Sequence, residues 1–303
     1  MPKQRKAHVD TAEARRTERI KALVVIAMFS DDELMERFVL KGGNAIDLAY
    51  HAGSRASLDI DLAMEGDFTA EEKEGIRSRI EAVLQKTFRP EGYEAFDVSW
   101  EECPERLSPR VREFWGGYAA SFKLIEAARF AEFKNDKNAL RRNAIQIGAK
   151  GKFEIDVSKF EFCGGKVAQD FDGYRIFVYT PAMVVCEKLR AICQQMPEYG
   201  PVVDRKRSGA ARARDFVDIH GFVEKFKLDL TAPDNYSLLK SIFLAKRVPL
   251  DLLDQVDNYR EFHRADFQAV KDTVKPGVGL REFDFYFDYV VGLCEQLKAL
   301  RDV

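Results

Sequence analysis

Cysteine is scarce and unpatterned in this 303-residue sequence. Its five cysteines, Cys103, Cys163, Cys186, Cys193 and Cys294, are odd in number, scattered, and never in a CxxC pair. Neither a disulfide framework nor a zinc site is suggested, and a reducing cytoplasm is the expected compartment. No stretch approaches the ~20 apolar residues needed to span a bilayer. The basic N-terminus, MPKQRKAHVDTAEARR, lacks the apolar run of a signal peptide, so a soluble protein is expected. An excess of one charge is missing too: 48 Lys and Arg stand against 50 Asp and Glu, a net charge of −2. With a pI near 6.2, any polyanionic partner would have to be met by local patches. There is no internal repeat and no low-complexity tract. What is plentiful is apolar side chain, 46% of the residues, enough to fill one large core or two domains without staples.

The richest chemistry lies in Lys41 to Leu62, KGGNAIDLAYHAGSRASLDIDL. The apolar run Phe38-Val39-Leu40 ends at Lys41-Gly42-Gly43, which reads as a strand entering a tight turn that glycine tolerates best. A helix starting at Asn44 would aim unpaired N–H groups and a positive dipole end at a phosphate. A second strand is expected from Leu58 to Ala63. Alternate strand side chains share a face, so Asp59 and Asp61 point one way while Leu58, Ile60 and Leu62 point inward.

Upstream, residues 8 to 37 carry helical spacing, with Asp31-Asp32 as a cap. Downstream, Glu71 to Phe88 reads as a helix capped by Asp67 or Thr69, Tyr93 to Trp100 as a strand, and Cys103 to Gly117 as irregular. Tyr118 to Ile125 is expected as a strand and Glu126 to Ile145 as one exposed helix. Lys152 to Phe162, KFEIDVSKFEF, alternates strictly, placing Glu154 and Asp156 on one face and Phe153, Ile155 and Val157 on the other. After a last strand from Gly173 to Tyr179, Thr180-Pro181 announces a helix. That helix carries Lys188 on the flank of its apolar stripe. Pro197 to Gly209 is expected as a loop, Ala210 to Phe226 as a helix, and the remainder as helices with breaks at Pro233, Pro249 and Pro276. The fold class is α/β: a mixed-sheet domain over residues 1–180, then an α-helical domain over 181–303 closing over a site between them.

Nucleotidyl transfer needs an α-phosphate held in line with an attacking oxygen while charge builds on the leaving pyrophosphate, a task two divalent cations perform. Mg²⁺ (or Mn²⁺) takes oxygen ligands and keeps several waters, so two or three carboxylates and the substrate phosphates suffice. Asp59 and Asp61 on one strand, with Asp156 or Glu154 on another, supply the set, and Lys188 could steady the phosphates. Each residue also has an ordinary reading. Arg55 and Ser57 could cap a turn, Lys188 could snorkel, and Arg214 and Asp218 have the spacing of a surface pair. The five cations between Arg205 and Arg214 could be a solvated loop or a contact for a phosphate backbone. His51 and His220 read as surface or packing residues.

Lys41-Gly42-Gly43-Asn44 followed by Arg55-x-Ser57-x-Asp59-Ile60-Asp61 resembles the first motif of the AbiEii/AbiGii toxin family, in the DNA polymerase beta-like nucleotidyltransferase superfamily. The likeness continues in Pro181 to Ile192, PAMVVCEKLRAI, similar to the family's lysine-bearing helix. It ends in Arg214-Asp215-Phe216-Val217-Asp218, similar to its later arginine and aspartate motif. The family usually carries Thr or Ser where this chain has Asn44, and Glu126 to Lys150 looks like an insertion. The resemblance implies metal-dependent transfer of NMP from an NTP to a biological acceptor, in some relatives tRNA. It also implies a toxin paired with an antitoxin or serving in phage defence. On this reading Asp59, Asp61 and Asp156 hold Mg²⁺, and Asp156, Lys188 and Asp215 take part in catalysis. Gly42, Gly43, Asn44, Arg55, Ser57, Lys188 and Asp218 bind the nucleotide. Two alternatives stay open: a catalytically inactive nucleotidyltransferase fold that binds a partner protein or nucleic acid, and phosphotransfer or hydrolysis at the same metals.

Overall fold

A computed structural model of the chain describes residues 11–50, 60–146, 151–207, 209–273 and 279–301; for residues 11–13 and 44–47 it describes the backbone alone. Seven strands form one mixed sheet: β1 (Val39–Lys41), β2 (Ile60–Ala63), β3 (Tyr93–Cys103), β4 (Gly117–Glu126), β5 (Phe153–Ser158), β6 (Val167–Phe171) and β7 (Tyr174–Val178). The spatial order is β3-β4-β5-β2-β1-β7-β6. β5 runs parallel to β2, and β7 parallel to β1; the other neighbours are antiparallel. Among the helices, α1 (Thr11–Phe29), α2 (Asp32–Arg37), α3 (Gly42–Tyr50), α4 (Ala70–Phe88), α5 (Pro109–Arg112), α6 (Ala127–Phe133) and α7 (Lys137–Arg142) are interleaved with the strands. After β7 come α8 (Pro181–Cys193), α9 (Ala213–Phe226), α10 (Pro233–Ala245), α11 (Arg260–Arg264), α12 (Phe267–Thr273) and α13 (Phe283–Ala299).

The alternation in the central strands decides which face is dry. Leu40 and Leu62 pair, Leu62 lies beside Val157, and Leu40 lies beside Val178. All four are at most 2% exposed, and each such side chain contributes roughly 1.5–3 kcal/mol by leaving water. The residues one step along carry the chemistry.

Local signals acted much as the residue types dictate. Asp31 accepts from the Leu34 N–H to cap α2, and Thr69 and Glu72 form a reciprocal capping box on α4. Thr180 accepts from the Met183 N–H, with Pro181 in the first turn of α8.

Several expected boundaries move. Glu126 to Ile145 is two short helices, because the Asp136 carboxylate accepts from the Asn138 and Ala139 N–H groups and starts a new one. The strand expected over 152–162 ends at Ser158, and Phe160 takes a positive φ of 56°. The 8–37 segment divides at Ser30 into α1 and α2, and α3 begins at Gly42 instead of Asn44. β6 was not anticipated: its burial alternates weakly because it is an edge strand. Pro197–Val203 is a 3-10 helix where a loop was expected. β2 is described from Ile60, so Leu58 and Asp59 lie outside the described residues, as do His51, Arg55 and Ser57.

Candidate active site

Three ionisable residues form a row across the sheet. Lys41 on β1 is directly opposite Asp61 on β2, and Asp61 is directly beside Asp156 on β5. Residues in register on paired strands share a face, so the two carboxylates are held as neighbours by the backbone itself. Glu154 is one alternation further along β5, in register with Ser121 of β4 and 3.1 Å from the Lys152 ammonium. The row thus selects Asp156 as the neighbour of Asp61.

The glycine turn is fitted to this row. Gly42 has φ of +75°, and a Cβ at that position would lie 2.4 Å from Asp61 Oδ2. Among the described residues, nothing lies within 4 Å of where a Cβ on Gly43 would stand. Asp61 can therefore occupy its position only above a residue without a side chain. Burial pushes its carboxyl up to about 6; Glu187 and Asp156 add to the shift, while Lys41 and Lys188 oppose it. Two neighbouring carboxylates suit a hard divalent cation, which takes oxygen ligands. Among the described residues no group of three or more His, Cys, Asp or Glu side chains is placed to hold a metal ion; Asp59 lies outside them.

Helices α8 and α9 face the row. Lys188 is 8% exposed, so it is buried and does not snorkel, the ordinary reading of its place on the flank. Its ammonium donates to Asp215 Oδ1 and Asp218 Oδ2, both at 2.8 Å. Arg212 donates to the other Asp215 oxygen at 2.8 Å. Although burial works against both charges, these pairings hold Lys188 above its ordinary pKa and Asp215 below its own. The backbone N–H of Arg212 donates to His263 Nδ1 at 3.1 Å, tying the start of α9 to α11. Of the cations between Arg205 and Arg214, Arg205 is spent on the carbonyls of Gln194, Gln195 and Met196 at the end of α8. His220 packs against the rings of Phe285, Tyr286 and Tyr289.

A second charged layer lies beneath. Lys41 donates to Glu187 Oε1 at 2.8 Å and lies 3.4 Å from Glu161 Oε1. Arg190 donates to Glu161 Oε2 at 2.6 Å, and the Lys246 ammonium lies 3.6 Å from Glu161. Burial lowers the Lys246 pKa to about 8 against the pull of Glu161. The sequence assigned no role to Lys41, which opens the glycine motif, or to Glu187, which precedes Lys188.

These groups surround a cavity of about 450 Å³. Its walls include Gly42, Gly43, Asp61 and Asp156 from the sheet side and Lys188, Arg214, Asp215 and Asp218 from the helices. Seven of the chain's expected site residues thus meet in one place, with Arg214 beside them. Asn44 is in the first turn of α3, its side chain outside the described residues.

Paired strand carboxylates above a glycine turn, faced by a lysine helix, are an arrangement suited to phosphate and divalent-cation chemistry. The sequence profile described as nucleotidyl transferase AbiEii toxin, Type IV TA system, matches residues 24–289. The chain belongs to this AbiEii family of nucleotidyltransferase toxins. Among solved structures, a putative nucleotidyltransferase from H. pylori aligns over 95% of this chain and 97% of its own, at 16% identity and a TM-score of 0.47. An antigenic nucleotidyltransferase-like protein from Paracoccidioides brasiliensis aligns over 86% and 95%, at 12% identity and 0.37. The antibiotic-resistance factor ANT(2'')-Ia aligns over 78% and 94%, at 11% and 0.32. No functionally curated protein matches the sequence. Among the described residues, no helix is long and apolar enough to cross a membrane.

Proposed function

We propose that the chain transfers NMP from an NTP to a biological acceptor, an RNA such as tRNA being the candidate taken to test, as the cytoplasmic toxin of a toxin–antitoxin or phage-defence pair whose antitoxin restrains it. The observation that carries this reading is the registered pair Asp61 and Asp156 above Gly42, where no side chain larger than hydrogen fits. The sheet-bearing residues 1–180 act as the nucleotidyltransferase core, and the helices of 181–303 close over the nucleotide.

Asp61 and Asp156, with Asp59, would hold Mg²⁺ or Mn²⁺. When bound, the cation supplies Lewis-acid stabilisation of charge on the transferring phosphoryl group and leaving pyrophosphate. The N–H groups of Gly42, Gly43 and Asn44 receive phosphate oxygens at the start of α3. Lys188 meets the β- and γ-phosphates, its ammonium aimed and kept charged by Asp215 and Asp218. Asp218, Arg55 and Ser57 complete the nucleotide side. Asp156, at the cavity wall, takes the proton of the attacking hydroxyl.

Purified protein incubated with each α-labelled NTP, Mg²⁺ and total cell extract should label an RNA, with release of pyrophosphate. The label should survive protease and be lost to nuclease. Release of orthophosphate instead would indicate hydrolysis. Magnesium-dependent NTP binding should be measurable by calorimetry; its absence would favour a binding module. Asp59→Ala with Asp61→Ala should abolish transfer with the fold intact, and undiminished transfer by that double variant would sink the assignment.

A further inference from the structure

A second cavity, of about 290 Å³, adjoins the first. The two share Lys41, Asp156, Ser158, Glu187 and Arg212 as walls. Among the walls of the larger alone are Gly42, Gly43, Asp61, Lys188 and Asp215, whereas those of the smaller alone include Trp115, Glu161, Arg190, Gln194 and Lys246. We propose that the smaller cavity seats the terminal nucleoside of the acceptor, with Trp115 and Gln194 as its binding residues. This rests on the NMP-transfer reading given above.

The first argument is directional. In an in-line displacement the attacking oxygen and the leaving pyrophosphate stand on opposite sides of the α-phosphorus. If the triphosphate tail lies against Gly42, Gly43 and Lys188, the hydroxyl must arrive from the other side of the shared wall, where Asp156 opens onto the smaller cavity. The acceptor oxygen then bonds to the α-phosphorus. The bond from that phosphorus to the α,β-bridging oxygen breaks, pyrophosphate leaves with the electron pair, and the hydroxyl proton passes to the Asp156 carboxylate.

The second argument is the chemistry of the lining. Gln194 is 6% exposed and Arg190 3%, yet Gln194 Nε2, Arg190 Nε and Arg212 Nε all lack a hydrogen-bond partner among the described residues. The Gln194 amide neighbours the Tyr199 hydroxyl. Buried donors are nearly always satisfied, so three of them around one cavity call for an occupant rich in acceptors. The Trp115 indole, with the Lys246 ammonium 5.2 Å from its centroid, adds a flat aromatic surface. A nucleoside supplies ring nitrogens, carbonyls and ribose oxygens together with a ring that stacks. A serine or tyrosine side chain would bring only its hydroxyl.

The chain has two tryptophans, and Trp100 is occupied in a stack with Tyr118 at 4.6 Å. A Trp100→Phe protein therefore reports on Trp115 alone. Titration with single-stranded oligoribonucleotides differing only in their 3′ nucleoside should quench that fluorescence saturably for at least one of the four. Trp115→Ala or Gln194→Leu should raise the acceptor KM about 5- to 100-fold without changing NTP affinity measured by calorimetry, and Trp115→Phe should restore most of the loss. Quenching without any NMP transfer would leave the seat standing and remove the transfer reading. The seat is overturned if no oligoribonucleotide quenches Trp115. It is equally overturned if Trp115→Ala weakens NTP binding while the acceptor KM stays put, because the cavity then holds the NTP base.

Discussion

Gly42 and Asp61 approach so closely that residue 42 can carry no side chain without displacing the carboxylate, the gap to Asp61 Oδ2 being 2.4 Å from where a Cβ would stand. Gly42→Ala would meet both that clash and a φ of +75°, a conformation costing side-chain-bearing residues about 1–3 kcal/mol. A displacement of 1 Å at a reacting centre can lower the rate about 100-fold, and transfer by Gly42→Ala should fall by at least that much. Gly43→Ala, whose Cβ would meet no described residue within 4 Å, should fold as stably as the parent. Equal thermal stability of the two variants would contradict the geometry.

Asp156 and Glu154 lie on the same face of β5, but only Asp156 is in register with Asp61 and on the cavity wall. Asp156→Asn should abolish detectable transfer while changing stability by less than about 0.5 kcal/mol, the usual range for an exposed substitution. Glu154→Gln should transfer at close to the parent rate. A steady-state comparison of the two decides which carboxylate serves the reaction.

Lys188 is held by two carboxylates in a buried setting, so its removal has a structural cost separate from any catalytic one. Lys188→Met leaves Asp215 buried with Arg212 as its remaining partner among the described residues and should destabilise the protein by about 3–5 kcal/mol. Adding Asp215→Asn should recover a large part of that loss in chemical denaturation, without recovering transfer. Recovery of activity along with stability would show that the lysine acts only as a scaffold.

His263 accepts the Arg212 N–H through Nδ1 and must be neutral there. Burial lowers its pKa from 6.5 to about 4; Asp215 opposes the shift and Arg212 adds to it. A base whose folded pKa is depressed stabilises the fold above its unfolded pKa and loses that contribution on acidification. Between pH 6.5 and 4 the unfolded state binds the extra proton, so stability should fall by on the order of 2–3 kcal/mol across this window. Denaturant midpoints measured at half-unit intervals should show the decline, and His263→Gln should flatten it.

Much of this was written in local order. The strict alternation of 153–158 and the Thr180-Pro181 start of α8 need only a strand period or a cap to be read. The Gly42-Gly43 turn likewise needs only a backbone constraint. The spacing that marks the AbiEii family lies along the chain as well. The roles of Glu187 and Lys41 carried no such signal, because a charged residue on a helix or at a strand end is ordinarily solvated; each role depends on a partner far off in sequence. Lys188 looked like a flank residue for the same reason. Its burial depends on α9 bringing Asp215 and Asp218 to meet it, since an ammonium leaves water only where carboxylates replace the lost hydration.

By itself, then, the sequence determined the elements, the faces of the strands and the kinds of side chain available for phosphate and metal chemistry, because these follow from interactions between near neighbours. Tertiary structure alone decided that Asp156 and not Glu154 lies beside Asp61, that Gly42 makes room for that carboxylate, and that one cavity continues into another past Asp156. Those are matters of strand register and packing, set by which apolar faces bury against each other, and neither composition nor spacing along the chain encodes them.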